Sequence, residues 1–279
     1  MIKYSVFITV LGARGRGMYS FFAEELVFAN IGLQKEDIVL YTVTDSTNTR
    51  AREFFLENQN SVPKLFVAEE QTQGKGTRGR SFESKPGGLY LSILFSSESE
   101  DYDPSKITPI AAAATYAAIR SALGKKHKRR LFIKWVNDVY IDNKKISGIL
   151  CEKITANGKT GYVIGIGVNL YGSDFSPEVE RVAASVERMT GIKADKTKLC
   201  RDILAELIPA LTSPKKTKLC RVYRKNSLKR GAEILVTDSL GNTREAKVIG
   251  LDSDFHLRVR YKDGGRAALI SGDVSIKFR

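Results

Sequence analysis

The strongest constraint on the fold is a change of rhythm along the chain. From Ile38, short β-rich runs occur at Ile38–Val43, Leu65–Ala68, Leu89–Phe95, Arg130–Lys134, Val139–Ile141, Ser147–Ile154 and Tyr162–Val168. Helical patterns separate them at Asn48–Asn58, Ile107–Leu123 and Pro177–Thr190. Strands and helices in this order predict an α+β sheet domain. Asp195–Tyr223 reads as helical, with a break near Ser213-Pro214, because proline lacks a backbone donor and clashes with the preceding turn. From Leu228 onward, apolar and polar residues alternate between Gly, Asp and Asn turns, which predicts a small antiparallel barrel or sandwich and a boundary near Ser227. The expected division is therefore 1–38, an extension of unknown role; 39–227, the main domain; and 228–279, a small β domain. The extension holds a β-like stretch, Lys3–Val10, and a helical pattern, Met18–Asn30.

At 279 residues and 42% hydrophobic, the chain can bury one sizeable core and a small second one. Its longest apolar runs, such as residues 109–119, fall short of the roughly 18–20 residues that span a bilayer. The apolar stretch Tyr4–Leu11 is short and carries Ser5 and Thr9, unlike a secretory leader. Cys151, Cys200 and Cys220 are odd in number and lack C-x-x-C spacing, which argues against a disulfide framework or a zinc site and for thiols in a reducing cytoplasm. The pentapeptide TKLCR occurs at Thr197 and Thr217, too brief to mark a structural repeat. A net charge of +14 favours anionic partners without choosing among nucleotide, nucleic acid, membrane and acidic protein. The densest basic run, Gly124–Arg130, reads either as a solvated loop between helix and strand or as a docking surface.

The segment Gln71-Thr72-Gln73-Gly74-Lys75-Gly76-Thr77-Arg78-Gly79-Arg80 interleaves three glycines with three cations. Glycine lets backbone N–H groups approach anionic oxygens, and Lys and Arg neutralise phosphate charge. The spacing is neither that of a P-loop nor that of the dinucleotide fingerprint, and a flexible RNA-binding loop is the alternative.

Further motifs accompany this loop. Asp45-Ser46-Thr47-Asn48 precedes it and Gly88-Leu89-Tyr90-Leu91-Ser92 follows. Lys134-Trp135-Val136-Asn137-Asp138 comes next with Lys145-Ile146-Ser147-Gly148-Ile149-Leu150, and Gly165-Ile166-Gly167-Val168-Asn169 closes the set. In this order the motifs resemble the biotin–protein ligase family, of the type without an N-terminal DNA-binding domain, over roughly residues 38–279. The resemblance implies a mixed-sheet catalytic domain of the biotin/lipoate ligase type and an SH3-like C-terminal barrel. It also implies ATP-dependent formation of biotinyl-5'-adenylate and transfer of biotin to a lysine of a biotin carboxyl carrier protein. ATP and biotin are then substrates, Mg2+ accompanies the polyphosphate, and a homodimer is allowed for. Neither DNA nor membrane is expected as a partner.

Within that resemblance Ser46, Thr47, Asn48, Gln71, Gly74 and Lys75 are candidates for biotin binding. Ser46, Thr47 and Gln71 would offer polar groups to the ureido ring, although Ser and Thr are also ordinary helix N-caps. Gly148, Leu150, Gly165 and Gly167 would wall the biotin site, while glycine in a strand is otherwise a bulge or a packing concession. Lys145 is the candidate for transition-state charge, beside biotin and the α-phosphate together; Lys144 reads as a solvated hairpin cation. Lys75, Arg78, Arg80, Phe82, Asn137, Lys145 and Asn169 are the candidate nucleotide residues, with Arg80 also catalytic. Asp138 is either a base toward the acceptor lysine or a turn or salt-bridge residue. Trp135 reads as a core or wall residue.

Two departures stand out. Thr77 replaces an arginine that the family's loop commonly carries, and Phe82 replaces a tryptophan. A lipoate–protein ligase is the rival enzyme and a nucleic-acid-binding regulator the rival of another class.

Overall fold

The computed structural model describes residues 33–58, 63–96, 104–172, 175–212, 217–238, 240–270 and 273–276. The strand and helix anticipated at Lys3–Val10 and Met18–Asn30 lie outside these residues.

Seven strands build the main sheet: β1 (Ile38–Thr44), β2 (Lys64–Gln71), β3 (Leu89–Ser96), β4 (Leu131–Lys134), β5 (Asp138–Ile141), β6 (Lys144–Ala156) and β7 (Lys159–Val168). Their order is β1-β2-β3-β7-β6-β5-β4. Only β1 and β2 run parallel, joined across helix α1 (Thr47–Glu57); every other pair is antiparallel, so the sheet is mixed as anticipated.

The period of two along each strand sorts side chains onto two faces. Leu65, Val67, Leu91, Ile93, Ile164, Ile166 and Val168 face one core. Helices α2 (Ile107–Ala122), α5 (Lys196–Thr212) and α6 (Leu219–Asn226) complete that layer, with α2 against both of the others. The alanines at 111–114 in α2 are all fully buried, which suits a helix enclosed on most sides. The opposite face takes α1, where Ala51 and Phe55 pack on Phe66, Leu94, Ile154 and Val163. Along that face the strands carry Ser92, Gly165 and Gly167 in place of bulk. The sheet therefore has a gap beside the N-terminus of α1.

The single helix anticipated at Pro177–Thr190 is instead two short ones, α3 (Pro177–Glu180) and α4 (Val186–Thr190). The intervening backbone pairs with Lys145: the Lys145 N–H donates to Val182 O at 2.8 Å and the Ala184 N–H donates to Lys145 O at 3.1 Å. Strand-like pairing with the start of β6 wins over helical propensity there. The basic run after α2 forms successive turns, and Arg130 is tied to Asp142 at 2.6 Å and to Met189 O at 3.0 Å.

After α6, strands β8 (Glu233–Thr237), β9 (Thr243–Leu251), β10 (Leu257–Tyr261), β11 (Arg266–Leu269) and β12 (Asp273–Ile276) form an antiparallel sheet in the order β11-β10-β9-β8-β12. This small sheet agrees with an SH3-like C-terminal module. Its β9–β10 turn docks on the main sheet: Trp135 Nε1 donates to Phe255 O at 2.8 Å, and the Arg224 guanidinium lies 4.4 Å from the Phe255 ring centre. Trp135 is thus a joint between the two sheets. None of the three cysteines forms a disulfide among the described residues, and burial pushes the Cys151 and Cys200 thiols up to about 12, consistent with unreactive thiols.

Candidate active site

The gap beside α1 is a cleft partly open to solvent. Its polar wall is Ser46, Thr47, Asn48 and Gln71, brought together because β1 ends at Thr44 and α1 begins at Thr47 beside the end of β2. Ser46 occupies the N-cap position with extended backbone, yet its side chain caps nothing, so the capping explanation does not account for it. The Thr47 N–H donates to Gln71 Oε1 at 2.7 Å, with Thr47 Oγ1 3.1 Å from the same oxygen. Gln71 Nε2 donates to Ser84 Oγ at 2.8 Å. This fixes the glutamine amide with its oxygen toward α1.

Gly148, Leu150, Gly165 and Gly167 line the cleft from adjacent strands β6 and β7. Two of the glycines make room for close neighbours. A Cβ at Gly165 would sit 2.0 Å from Asn48 Oδ1, and one at Gly167 would sit 2.6 Å from the Phe82 ring. Phe82 lies across Gly148 and Gly167, with Lys145 Nζ 5.6 Å from its ring centre.

The Gly- and cation-rich segment folds as a narrow excursion. Gln71 pairs with Ser84 and Lys75 with Ser81, the Phe82 N–H donates to Gly74 O at 2.8 Å, and the Gly76 N–H donates to Arg80 O at 2.7 Å. At its tip Arg78 adopts a left-handed backbone with φ of 59°. Lys75, Gly76 and Thr77 reach the cleft, whereas Arg78 and Arg80 are exposed outside its lining. Gly74 stands behind the wall, where a Cβ would meet Phe82 O at 2.3 Å.

Lys145 and Asn137 close the cleft on the β5–β6 side. Asn137 Nδ2 donates to Ile149 O at 2.8 Å, which pins its amide to β6. Lys145 Nζ lies 2.7 Å from Asp138 Oδ1, with side-chain exposures of 27% and 17%. Of the two readings of Asp138, this geometry supports the salt bridge. Asn169 lies apart, lining a neighbouring cavity with Glu70, Tyr90 and Tyr171; its Oδ1 is buried and has no partner among the described residues. Lys144, anticipated as a solvated cation, donates to Glu180 O at 2.6 Å and Arg181 O at 2.9 Å.

Three polar participants were not singled out from sequence. Ser92 is fully buried, 2.7 Å from Thr47 Oγ1 and 2.6 Å from Asn48 Oδ1. Asn48 Nδ2 donates to Glu152 Oε2 at 2.7 Å, and Ser84 joins Gln71 to the loop. Ser92 sits inside the GLYLS motif, and its polarity amid Leu91, Ile93 and Leu94 was the available signal. Glu152 and Ser84 had none beyond strand register.

Residues 40–169 match the Biotin/lipoate A/B protein ligase family. The bifunctional ligase/repressor BirA of Bacillus spizizenii is 32% identical over 174 residues, 61% of this chain and 52% of that protein. The biotin–[acetyl-CoA-carboxylase] ligase of Paracoccus denitrificans is 34% identical over 156 residues, 54% of this chain and 63% of that one. The chain thus spans about half to two thirds of the length of these relatives. The biotin protein ligase of Aquifex aeolicus, solved in complex with biotin and ATP, superposes with a TM-score of 0.70 at 23% identity, covering 86% of this chain and 98% of that one, which establishes the shared fold. The stretch that matches the biotin/lipoate A/B protein ligase family, residues 40–169, contains the whole cleft.

Proposed function

We propose that the chain is an ATP-dependent biotin–protein ligase that forms biotinyl-5'-adenylate and passes biotin to a lysine of a biotin carboxyl carrier protein. The observation that carries this reading is the cleft itself, where Thr47 and Gln71 face a glycine-lined floor with Lys145 in the same enclosure. A ureido ring has an oxygen and two N–H groups to satisfy, so a polar wall suits it. The dithiolane of lipoate has no such groups and would leave the remaining hydrogen-bonding capacity of that wall unused. The names of the relatives point the same way.

In the first half-reaction a carboxylate oxygen of biotin attacks the α-phosphorus of ATP, a P–O bond forms, and the bond to pyrophosphate breaks with its electrons. Lys145 would stabilise the charge gathered where two anions meet, in a site that restricts water. Asp138 would hold that ammonium in place. Lys75, at the cleft, and Arg78 and Arg80, at the exposed tip, would meet the polyphosphate when the loop closes over it. Asn137 and Asn169 would serve the nucleoside side, and Phe82 would leave the glycine floor to stack on the base. In the second half-reaction the neutral amine of the acceptor lysine attacks the acyl carbon, AMP departs, and the nitrogen loses a proton.

Mg2+ would enter with the triphosphate, because among the described residues no three His, Cys, Asp or Glu side chains group as a cage. An acidic carrier suits a chain of net charge +14. Among the described residues no helix is long and apolar enough to cross a membrane, and we assign the protein to the cytoplasm with its ATP pool. Biotin-dependent exchange of labelled pyrophosphate into ATP tests the first half-reaction. Lipoate-dependent exchange, with none for biotin, would overturn the assignment.

A further inference from the structure

Glu83 stands between two residues of the site but does not line the cleft. Phe82 lies over the glycine floor and Ser84 bonds Gln71, while the Glu83 carboxylate reaches Ser176 instead. The Ser176 N–H is shared between its two oxygens, at 3.1 Å from Oε2 and 3.2 Å from Oε1, and Ser176 Oγ donates to Oε2 at 2.9 Å. Ser176 occupies the N-cap position of α3, yet its hydroxyl caps nothing in that helix and is given to Glu83. The Glu83 side chain is 20% exposed, so these bonds to a carboxylate are sheltered and belong to the stronger kind.

Ser176 opens a segment that is fastened to the site twice more. Val182 O and the Ala184 N–H pair with the backbone of Lys145, and the Val186 N–H donates to Asn169 O at 2.8 Å. Lys144 holds the carbonyls of Glu180 and Arg181 between those points. Residues 176–186 therefore run from the neighbour of Phe82, past Lys145, to Asn169.

We propose that Glu83 is a positioning residue for the nucleotide-dependent step: by holding Ser176 it couples the loop that bears Phe82 to the segment that braces Lys145 and Asn169, so that the two close over the adenylate as one body. This rests on the biotin–protein ligase reading. Biotin alone would engage the wall of Ser46, Thr47 and Gln71, with which Glu83 makes no bond. Retention of the adenylate should therefore depend on Glu83, and affinity for biotin should not.

Release of labelled biotinyl-adenylate and, separately, calorimetric binding of biotin without ATP provide the test on the full chain. Glu83→Ala should speed release about tenfold, equivalent to about 1.4 kcal/mol, and change biotin affinity less than about twofold. Ser176→Ala loses only the hydroxyl bond and should speed release about threefold in wild type. In the Glu83→Ala background it should add nothing, because two changes that remove one shared interaction are not additive. A merely structural loss would weaken biotin and adenylate alike and leave the two changes additive. Either of those results, or release from Glu83→Ala quickened by less than about threefold, would overturn the proposal. Wild type that makes no adenylate from biotin and ATP would instead overturn the functional reading. The coupling is then read in the free protein by hydrogen exchange. Glu83→Ala should lower protection of the Lys145 and Ala184 amides, and unchanged protection at both would overturn the coupling separately.

Discussion

Replacing Lys145 by alanine should separate two things that this residue does. At 2.7 Å from Asp138 Oδ1, the ammonium gains about 6 kcal/mol of Coulomb attraction at an effective dielectric of about 20. Desolvation of both groups offsets much of this, so truncating the lysine should cost about 1–3 kcal/mol of stability, the penalty of a sheltered carboxylate losing its partner. For a chain of this size that corresponds to a fall in Tm of roughly 2–4 °C per kcal/mol. The chemical loss should be larger, about 3 kcal/mol or more of transition-state stabilisation, or a hundredfold or greater drop in biotin-dependent pyrophosphate exchange. Combining Lys145→Ala with Asp138→Asn removes the stranded charge, so the double variant should regain Tm without regaining rate. Exchange reduced by less than about tenfold, about 1.4 kcal/mol, would show that Lys145 has no charge role in the reaction. Recovery of rate in the double variant would show that the single change acted only by destabilising the site.

The Gln71–Phe82 loop should gain hydrogen-exchange protection when biotin and ATP bind, chiefly at its tip, because both feet are already bonded at Gln71–Ser84 and Gly74–Phe82; equal protection with and without ligands would refute a lid. Thr77→Arg, which places a cation at a position lining the cleft, should slow release of labelled biotinyl-adenylate with modest change in its rate of formation; unchanged release, with a sharp rise for Arg78→Ala, would show that Arg78 already fills that role. Gly165→Ala should weaken biotin binding at least tenfold by displacing Asn48, read by calorimetry alongside an unchanged far-ultraviolet dichroism. Burial raises the Asp45 carboxyl, but hydrogen bonds from Arg50, the Ser46 N–H and Thr44 outweigh it and hold it below its ordinary 3.8. Its stabilisation is thus present above that value and disappears as the pH falls through the depressed one. Denaturant titration should show Asp45→Asn less stable than wild type at neutral pH and equal to it in strong acid.

The strands were legible because they alternate or run apolar between turns, and β1 to β7 lie where their sequence runs do. The Pro177–Thr190 segment misled because helix periodicity is local, while the pairing of Lys145 with Val182 and Ala184 joins residues far apart in sequence. The cleft was legible to the extent that its residues sit in compact motifs: Ser46 to Asn48, Gln71, and the glycines of β6 and β7. Glu152 and Ser84 were not, because their roles depend on which strand face meets α1 and on how Gln71 is turned. The Lys145–Asp138 pair falls between. Both residues were singled out, but their direct contact follows from the register of β5 against β6, which no single motif encodes.

The chain has one tryptophan, and it lies at the seam between the two sheets with its indole N–H held by Phe255 O. Its fluorescence consequently comes from a single place. At 4% exposure the ring should emit in the blue, and release of the β9–β10 turn would wet it and shift the emission red, whether or not the larger sheet had changed. Following that colour beside far-ultraviolet dichroism during a denaturant titration would show whether the small sheet parts from the large one before either unravels. Because Trp135 is three positions from Asp138, the same optical signal offers a ligand titration without any label attached to the protein.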